Sequence, residues 1–456
     1  MKVKRTLCTG RFRPVHFLHP IRCLAAGIAL AAASSPAFAA NVPLAAASTA
    51  IAVAPGEAIT DFYRAREARP LWLSSPEAAE ELVRLLGTAN LDGLDRDRYR
   101  VRQLQRALNA ARGGDYRAVQ RAEQMLSEAF VAYARDLRNA PSLGIYYVDR
   151  ELVPRAPAPR HLLEAAAAAP SLPQFVARMG WMNPLYGQLR QALANRSYSS
   201  ESQRRTIQLN LERARTLPAG NHRYVVVNSA AQRLYMYENG SVVGSMRVVV
   251  GKPHQQTPMM TAFIRYVSLN PYWNVPPDLA AERIAPNVVK SGLPYLKSRG
   301  YQVLSDWTEK AKLIDPATID WKAVAEGKRE VRLRQLPGPG NAMGKMKFMF
   351  PNDEGVYLHD TPEDQLFSEA SRLFSGGCVR LEDAPRLAEW LFGNPVRVPR
   401  GGKPEQDVPL PAPVPVYLTY MTVLPSGSQL AFYEDIYGRD RARLAELSAG
   451  GRHASR

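Results

Sequence analysis

The spacing of apolar residues changes near Gly220, and this change divides the chain into two differently built halves. Before it, apolar residues recur every three or four positions, as on one face of a helix. The segments 122–137 and 202–217 show this spacing most clearly. After Gly220 apolar and polar residues alternate, which is typical of half-buried strands. The sequence therefore predicts an α+β protein, with an all-helical domain at 59–220 and a mainly-β domain at 221–400.

A two-residue turn and a long insertion organise the β-domain. Asn239-Gly240 separates two alternating runs, and both residues accept the positive φ of a tight hairpin. Helical, lysine-bearing sequence at 277–332 interrupts the strands, and we interpret it either as a lid over a site or as a plain surface excursion. Residues 401–456 hold a proline-rich segment, a hairpin and a tail. The predicted strands are 223–228, 234–238, 241–250, 261–269, 345–350, 355–359, 416–423 and 429–433.

The first 39 residues have the layout of an export signal. Six basic residues and no acidic residue accompany a short apolar run at 24–33, and Ala37-Phe38-Ala39 resembles a cleavage site. The apolar run is shorter than the roughly 20 residues of a membrane-spanning helix, although retention as an uncleaved anchor stays open. We therefore expect an exported mature chain, with a disordered linker at 40–58.

Removal of this signal changes the charge and the cysteine content. The formal net charge falls from +17 to +11 when six basic residues leave, and this balance suits polyanionic partners such as an acidic wall polymer or lipid headgroups. Nucleic acid is not an expected partner, because the chain is exported and shows no basic-aromatic binding motif. Of three cysteines only Cys378 remains. It is either a small buried hydrophobe or a reactive thiol.

The surroundings of Cys378 favour the reactive thiol. His359 ends a predicted strand, and a spacer of fifteen residues leads from it to Ser375-Gly376-Gly377-Cys378-Val379-Arg380. An imidazole can take the thiol proton and later protonate a leaving amine. The glycines let the backbone turn tightly, so the amides of Gly377 and Cys378, with Gly376, are candidate donors to an oxyanion. Together these features predict a thiol acyl-transfer enzyme. No phosphate loop and no metal-ligand motif accompanies them, so neither a cofactor nor a metal is expected.

Residues 221 to about 400 resemble the catalytic (YkuD-type) domain of bacterial L,D-transpeptidases. That family has a histidine, a spacer of fourteen to seventeen residues and Ser/Thr-His-Gly-Cys, followed by a hydrophobic residue and often Asn or Arg. His359, the spacer and 375–380 match this pattern, except that Gly376 replaces the second histidine. The helical half fits a scaffold region more loosely. Further stretches that resemble the large Gram-negative periplasmic branch are 249–253, 269–277, 337–344, 347–352 and 415–420.

The resemblance implies two-step acyl transfer on peptidoglycan. Cys378 would attack the carbonyl on the L-centre of diaminopimelate in a donor tetrapeptide stem and release D-alanine, with His359 as the base. The side-chain amine of an acceptor diaminopimelate would then resolve the thioester and leave a 3→3 cross-link. The same resemblance implies a periplasmic location, a part in cell shape, acylation by carbapenems and a substrate-capping role for 277–332.

Five more residues are candidates for substrate binding. Arg380 is expected either to bind a stem-peptide carboxylate or to pair with Glu382 or Asp383. Asp360 is expected to orient the imidazole through its main chain more than its side chain. Aromatic packing is the alternative role for the two rings among the rest. The remaining candidates are Tyr357, Trp273 and Asn341.

Other functions stay open at this point. Members of the branch often carry a peptidoglycan-binding module, for which the chain between Tyr186 and Leu217 has no room. Binding of the wall would then depend on the cleft, the lid and surface charge.

Water or a protein lysine is an alternative acceptor of the acyl group. A peptidase of the NlpC/P60 type has the opposite order of cysteine and histidine, and the sortase signature is missing. A non-catalytic wall-binding scaffold is a further alternative. Peripheral association with membrane-bound wall-synthesis enzymes is expected, and the oligomeric state is open.

Overall fold

The structure is a computed structural model that describes residues 55–139, 143–220, 222–399 and 403–453. The predicted signal at 1–39 and most of the predicted linker at 40–58 lie outside the described residues. The first helix begins at Pro55, so the last four residues of the predicted linker are helical. Within the described ranges, every helix is too short or too polar to cross a bilayer.

The N-terminal half is helical, as its apolar spacing predicts. Within the described residues its α-helices are α1 (Pro55–Ala65), α2 (Pro76–Gly87), α3 (Val101–Ala111), α4 (Tyr116–Arg138), α5 (Pro159–Ala168), α6 (Leu172–Ala177), α7 (Pro184–Ala194) and α8 (Glu201–Ala214). The apolar stripe at 122–137 lies on α4 and packs into the core of this half. Asp115 begins the helix, because its side chain accepts a hydrogen bond from the Ala118 amide.

Two buried carboxylates hold these helices together. Asp92 accepts hydrogen bonds from Arg190 at 3.0 Å and from the hydroxyls of Tyr133 and Tyr186 at 2.7 and 2.6 Å. Glu123, on α4, accepts backbone amides from the 71–73 segment. A buried carboxylate needs hydrogen-bond partners, and both groups have several. Of the two, Asp92 is also paired with Arg190. The helical half is therefore fixed by specific polar contacts as well as by its apolar core.

The second half is built on a closed β-sheet. In chain order the strands described are β1 (Tyr146–Tyr147), β2 (Tyr224–Asn228), β3 (Arg233–Glu238), β4 (Ser241–Gly251), β5 (Met260–Leu269), β6 (Trp273–Val275), β7 (Tyr301–Leu304), β8 (Arg332–Gln335), β9 (Met346–Met349), β10 (Leu358–His359), β11 (Leu373–Ser375), β12 (Val379–Leu381), β13 (Gln406–Thr419), β14 (Val423–Ser426) and β15 (Gln429–Phe432). The order around the ring is β5-β13-β2-β3-β4-β12-β10-β9, and β9 pairs with β5 to close it. β1 adds to β5, and β11 adds to β4. The predicted turn between β3 and β4 is confirmed, since Asn239 and Gly240 both have positive φ.

The C-terminal segment belongs to this barrel, contrary to its predicted separation after residue 400. β13 runs antiparallel to β5 and parallel to β2, so it lies between them. The predicted hairpin strand at 416–423 is therefore wrong in its first half, because residues 416–419 pair inside the barrel. The hairpin itself is β14 with β15. The prolines of this segment kept it from being predicted as a strand, because proline has no backbone N–H to donate to a neighbouring strand.

Residues 273–335 fold into a compact subdomain, which we call the lid. β6, β8 and β7 form its three-stranded sheet. Its core includes Val275, Ile284 and Leu333 and is separate from the barrel core. The insertion is thus longer than the predicted 277–332 and is no plain surface excursion. Its helices are α9 (Pro277–Leu279), a π-turn at Ala280–Ile284, α10 (Ala285–Ser291), α11 (Pro294–Ser298) and α12 (Trp321–Ala325).

Two further helices complete the chain. α13 (Ala384–Phe392) packs against the barrel core. It begins at Asp383, which accepts the Arg386 amide, and ends at Gly393 in the left-handed conformation. α14 (Arg439–His453) follows the C-terminal hairpin. Short 3-10 helices lie at Ala89–Asp92, Arg96–Tyr99, Arg150–Leu152, Pro316–Thr318 and Asp364–Ser368.

The helical half packs directly on the barrel. Its core takes in Tyr224 of β2 and Tyr417 of β13. Two buried amides join the halves: Asn183 Nδ2 donates to the Tyr224 hydroxyl at 2.9 Å, and Asn210 Oδ1 accepts the Thr422 amide at 2.8 Å. The helices therefore support the strands on which the catalytic half is built.

Candidate active site

Three neighbouring strands bring polar side chains to one face of the barrel. β9, β10 and β12 lie side by side, and Lys347, His359 and Arg380 occupy matching positions on them. The residues that alternate with these three lie in the barrel core, so the polar side chains point away from it. Cys378 immediately precedes β12 and lines the same cavity as His359 and Arg380. The predicted nucleophile and base are therefore brought together.

The imidazole of His359 is buried and held by the main chain. Its Nδ1 lies 2.6 Å from the carbonyl oxygen of Asp360 and its side chain is 2% exposed. A carbonyl only accepts, so Nδ1 carries the proton and Nε2 is the free base. Burial lowers the pKa of His359 to about 3, and the positive charges of Arg380 and Lys347 act in the same direction. The ring is therefore neutral and ready to accept a proton at ordinary pH.

The side chain of Asp360 fixes the carbonyl that holds this ring. Its Oδ2 accepts the Lys345 amide at 2.7 Å. Gly344 has a φ of +62°, and a Cβ there would lie 2.5 Å from the Asp360 carboxyl. Burial raises the pKa of Asp360. The carboxyl group therefore clamps a tight turn and does not line the cavity as a substrate contact would. The main-chain contact to the imidazole that we expected of Asp360 is present.

The thiol of Cys378 is half-buried and lies next to main-chain groups. Its Sγ is 3.6 Å from the carbonyl oxygen of Gly355. Burial raises the pKa of the thiol, while the Tyr357 backbone and the charges of Lys347 and Arg380 oppose that shift. In the described structure no hydrogen bond joins the thiol to His359. The raised pKa of Cys378 and the lowered pKa of His359 both favour the neutral form of their groups.

A serine holds the turn that presents the cysteine. Ser375 Oγ donates to the Cys378 carbonyl at 2.6 Å and accepts the Gly377 amide at 3.1 Å. The Gly377 amide would have to leave this bond to hold an oxyanion, so its predicted role needs revision. Within the described residues, the amides of Gly376 and Cys378 have no acceptor. These two amides are therefore the better oxyanion donors.

The two glycines of the turn differ in backbone conformation and in the space available for a side chain. Gly377 has a φ of +120°, which a residue with a side chain rarely adopts. Gly376, where the family pattern has a histidine, has ordinary backbone angles. A Cβ on Gly376 would lie 3.4 Å from Leu279 of the lid and 3.7 Å from Gln255 Oε1. A larger side chain there would reach into the space between barrel and lid.

Gly377→Ala is expected to impair turnover more than Gly376→Ala does. The strained φ at position 377 costs about 1–3 kcal/mol, which the turn can relieve only by moving the cysteine. At position 376 the new methyl group meets the end of a flexible leucine. Turnover number and thermal unfolding of both variants check this expectation. Equal losses in the two variants would show that the backbone angle at Gly377 is not what positions the thiol.

Chain segments distant in sequence support the nucleophile turn from behind. Thr257 Oγ1 donates to the Gly377 carbonyl at 2.8 Å and accepts the Gly251 amide at 2.9 Å. The Tyr437 hydroxyl donates to the Gly251 carbonyl at 2.7 Å. A Cβ on Gly251 would collide with the backbone of the same loop at 2.1 Å. The C-terminal segment is therefore part of the support of the site.

Arg380 is buried and forms an ion pair with Glu363. The predicted partners are wrong, because each is engaged elsewhere. Glu382 accepts a hydrogen bond from Arg247 at 2.7 Å, and Asp383 caps α13. Glu363 is about half exposed and lines the cavity beside Arg380. The guanidinium thus has one carboxylate partner at the edge of the cavity.

The cavity lies between the barrel and the lid and has a volume of about 790 Å³. The barrel contributes His359, Cys378 and Arg380, and the lid contributes Trp273 and Leu279. This size falls within the range of roughly 300–1,000 Å³ typical of ligand sites. The Cys378 thiol therefore opens into a space large enough for an extended peptide segment.

Comparison with known proteins agrees with this geometry. Residues 222–401 match the family model of the L,D-transpeptidase catalytic domain, YkuD, and residues 57–193 match the model of a scaffold domain. Residues 222–401 are therefore an L,D-transpeptidase catalytic domain of the YkuD type. A Haemophilus influenzae protein, provisionally named an L,D-transpeptidase, is 28% identical over 398 residues, which cover 85% of this chain and 79% of that protein.

Solved structures resemble the chain more distantly. An L,D-transpeptidase from Mycobacterium smegmatis is 15% identical, with a TM-score of 0.21, over 44% of this chain and 60% of its own. A Bdellovibrio bacteriovorus protein is 11% identical, with a TM-score of 0.17, over 50% of this chain and 56% of its own. The chain thus spans less than two thirds of either structure.

The other predicted contacts of this L,D-transpeptidase domain differ in position. Trp273 lines the cavity and packs against Tyr301 of the lid at a centroid distance of 6.3 Å. Tyr357 is not among the lining residues, and the Lys347 ammonium lies over its ring. Asn341 is 1% exposed and donates to three main-chain carbonyls. We therefore assign structural roles to Tyr357 and Asn341.

Three residues of the site were not predicted from the sequence. Ser375 stands inside the recognised motif, so its position three residues before the nucleophile was a usable signal. Lys347 alternates with core residues on β9, which places it on the outer face, but nothing local shows what it meets there. Glu363 lies in irregular chain after β10, and no sequence pattern predicts its pairing with Arg380.

Proposed function

We propose that this protein is a peptidoglycan L,D-transpeptidase that forms 3→3 cross-links through a thioester on Cys378. One observation carries the proposal. The thiol and a buried, neutral imidazole with a free Nε2 line a single cavity of an L,D-transpeptidase catalytic domain. This arrangement suits a nucleophile and a base that act together on an acyl group.

The first step transfers the donor stem to the enzyme. His359 Nε2 takes the thiol proton while Cys378 Sγ attacks the carbonyl on the L-centre of diaminopimelate. The amides of Gly376 and Cys378 stabilise the oxyanion of the tetrahedral intermediate. When the intermediate collapses, the C–N bond breaks and the imidazolium protonates the departing D-alanine. The product of this step is a thioester with a neutral imidazole.

The second step transfers the acyl group to the acceptor. The side-chain amine of a second diaminopimelate attacks the thioester, and His359 takes a proton from that amine. Cys378 leaves as a thiolate and recovers the proton. Water competes with the amine for the same thioester, and the lid, which forms one wall of the cavity, is placed to exclude it. We therefore expect the lid to influence which acceptor reaches the thioester.

The proposed location rests on the predicted export signal and not on the fold. The basic, apolar N-terminal segment supports a periplasmic location, where peptidoglycan is the substrate. The positive charge of the mature chain suits an acidic wall polymer. Peripheral association with membrane-bound wall-synthesis enzymes would bring the protein to new stems. A part in cell shape would follow from the cross-links.

A product assay tests the proposal directly. Purified enzyme is incubated with disaccharide-tetrapeptide muropeptides, and the products are resolved by mass. We expect cross-linked dimers together with free D-alanine. A hydrolysed tripeptide without dimer would mean that water is the acceptor and would replace the proposal with a carboxypeptidase. A stem joined to a lysine of an added envelope protein would point to protein attachment instead.

Arg380→Gln is expected to raise the donor KM about tenfold to a hundredfold, as expected for loss of a charge-assisted hydrogen bond of about 1.5–3 kcal/mol. In this interpretation Arg380 exchanges Glu363 for a carboxylate of the donor stem. Steady-state kinetics with a normal donor and with a donor amidated at diaminopimelate check it. The KM of the amidated donor should change little.

Glu363→Gln serves as the matched variant. It removes the resident carboxylate but leaves Arg380 in place, so the KM of the normal donor should fall. If Arg380→Gln raises the KM of both donors equally, Arg380 does not recognise the stem carboxylate. If Glu363→Gln lowers kcat without lowering KM, the ion pair positions the site instead of competing with substrate.

A further inference from the structure

Lys347 is a half-buried ammonium group without an anionic partner. Its Nζ lies 3.8 Å from the centroid of the Tyr357 ring, and that cation–π contact holds the side chain in place. Among the described residues, no carboxylate comes within ion-pairing distance of this nitrogen. A partly desolvated charge is usually paired. Its unpaired state therefore calls for an explanation from the chemistry of the site.

The strand register places Lys347 next to the reacting groups. Lys347 lies opposite His359 on β10, and His359 lies opposite Arg380 on β12. The carbonyl oxygen of Tyr357, whose ring lies under the ammonium, accepts the Val379 amide at 2.9 Å. Because Leu358 lies opposite Val379, Tyr357 is the cross-strand neighbour of Cys378. Side chains opposite one another on neighbouring strands are about 5 Å apart at their Cβ atoms. The imidazole is thus flanked by one cation on each side.

Charged groups on the other side of Lys347 are more exposed. β5 places Ser268 opposite Lys347, and β13 places Asp407 opposite Ser268. Glu405 precedes β13, and both carboxylates are exposed. Burial lowers the pKa of Lys347, whereas Cys378, Glu405 and Asp407 act to raise it. The nearest anion that forms inside the site is therefore the sulfur of the nucleophile.

A direct contact with substrate does not explain Lys347. The cavity is lined by Arg380 and by His359 from the neighbouring strands, but Lys347 is not among its lining residues. The ammonium lies over the Tyr357 ring, and neither residue lines the cavity. A stem carboxylate in the cavity would meet Arg380 first. The charge of Lys347 therefore acts through space on the groups between it and the substrate.

We propose that Lys347 is an electrostatic positioning residue that favours the Cys378 thiolate over the thiol and disfavours a charged His359. This inference rests on the acyl-transfer chemistry proposed for Cys378. As the S–H bond breaks, the proton passes to Nε2 of His359, and the negative charge on sulfur is stabilised by the nearby ammonium. The same ammonium makes the imidazolium a stronger acid, which helps it protonate the departing amine. No further reactant is needed.

Alkylation of the thiol tests this without any peptidoglycan substrate. Full-length wild type and Lys347→Met are treated with iodoacetamide between pH 5 and 10, and the tryptic peptide that contains Cys378 is quantified by mass. We expect alkylation of Lys347→Met at pH 7 to be about three- to tenfold slower, with its pH midpoint moved upward. The NMR titration of the His359 ring should also move upward.

The sign of the change separates this role from a structural one. Loosening of the site would hydrate the thiol, remove the effect of burial and make alkylation at pH 7 faster. A downward midpoint or faster alkylation in Lys347→Met would therefore overturn the proposal. An unchanged profile would do the same. Because the reagent is not a substrate, the proposed cross-linking can fail while this test succeeds, and the reverse also holds.

Three further variants complete the experiment. Lys347→Arg keeps the charge and should restore the wild-type profile. Lys347→Gln removes the charge but keeps a polar end on the side chain. It takes the place of Lys347→Met if that variant does not fold. Lys310→Met removes an exposed lysine of the lid with the same change in net charge, and its alkylation should differ from wild type by less than about twofold because exposed charges are screened.

Discussion

Replacement of Cys378 by alanine or by serine is expected to abolish D-alanine release and cross-linking while leaving the fold intact. The sulfur is the atom that forms the thioester, and loss of a triad-type nucleophile typically costs about 10⁴-fold or more in kcat. The side chain is half-buried at the cavity wall and is not part of the barrel core, so its removal leaves little unfilled volume. Product mass and thermal unfolding of each variant measure the two effects.

Acylation by a carbapenem provides the control for this prediction. Wild type should gain the mass of one carbapenem on the peptide that contains Cys378, and both variants should gain none. A large loss of stability in Cys378→Ala would instead indicate a packing role. An unmodified wild-type thiol would favour the non-catalytic wall-binding alternative.

His359→Gln is the second prediction, with an expected loss of about 10²- to 10⁴-fold in kcat at neutral pH. Glutamine keeps a donor toward the Asp360 carbonyl but supplies no base for the thiol proton. Because burial raises the pKa of Cys378, the unassisted thiol stays protonated at neutral pH. Thioester formation by the variant should therefore recover at alkaline pH. Equal rates of Cys378 acylation in wild type and variant at pH 7 would contradict the assignment of His359 as the base.

The same imidazole makes stability depend on pH. In the unfolded chain it takes up a proton near pH 6.5, whereas in the folded protein it does so only near pH 3, since its pKa is lowered to about 3. The unfolded state therefore binds more protons between these values, and the free energy of unfolding falls as the pH is lowered through them. His359→Gln should remove this part of the acid sensitivity, as denaturant unfolding at pH 7 and pH 4 would show.

The periodicity of the chain was sufficient to predict most of the fold. The change of spacing at Gly220 separated helices from strands, and the Asn239-Gly240 turn and the ends of α13 were local signals that hold in the structure. Most of β13 was not predicted as a strand, because its prolines weaken the strand pattern and because its partners β5 and β2 are far away in sequence. Pairing of distant strands depends on the closed barrel, which no short window of sequence contains.

The site divides in the same way between local and distant information. Cys378 and His359 were predicted because a motif and its spacing carry them. Other contacts of the site depend on the directions in which side chains point. They are the Arg380–Glu363 ion pair, the hydrogen bonds from Asn341 to main-chain carbonyls and the hydrogen bond from the Gly377 amide to Ser375. Those directions are set by neighbouring strands and turns, so residue type alone assigned Asn341 and Glu382 incorrectly.

The position of β13 has a consequence for when the enzyme becomes competent. A chain that ends before residue 406 contains both Cys378 and His359, yet it leaves the gap between β5 and β2 open. Tyr437, which buttresses the loop behind the nucleophile, arrives later still. The two side chains therefore depend on sequence that follows both of them, and we expect a chain truncated ahead of β13 to lack the closed barrel that holds them in place.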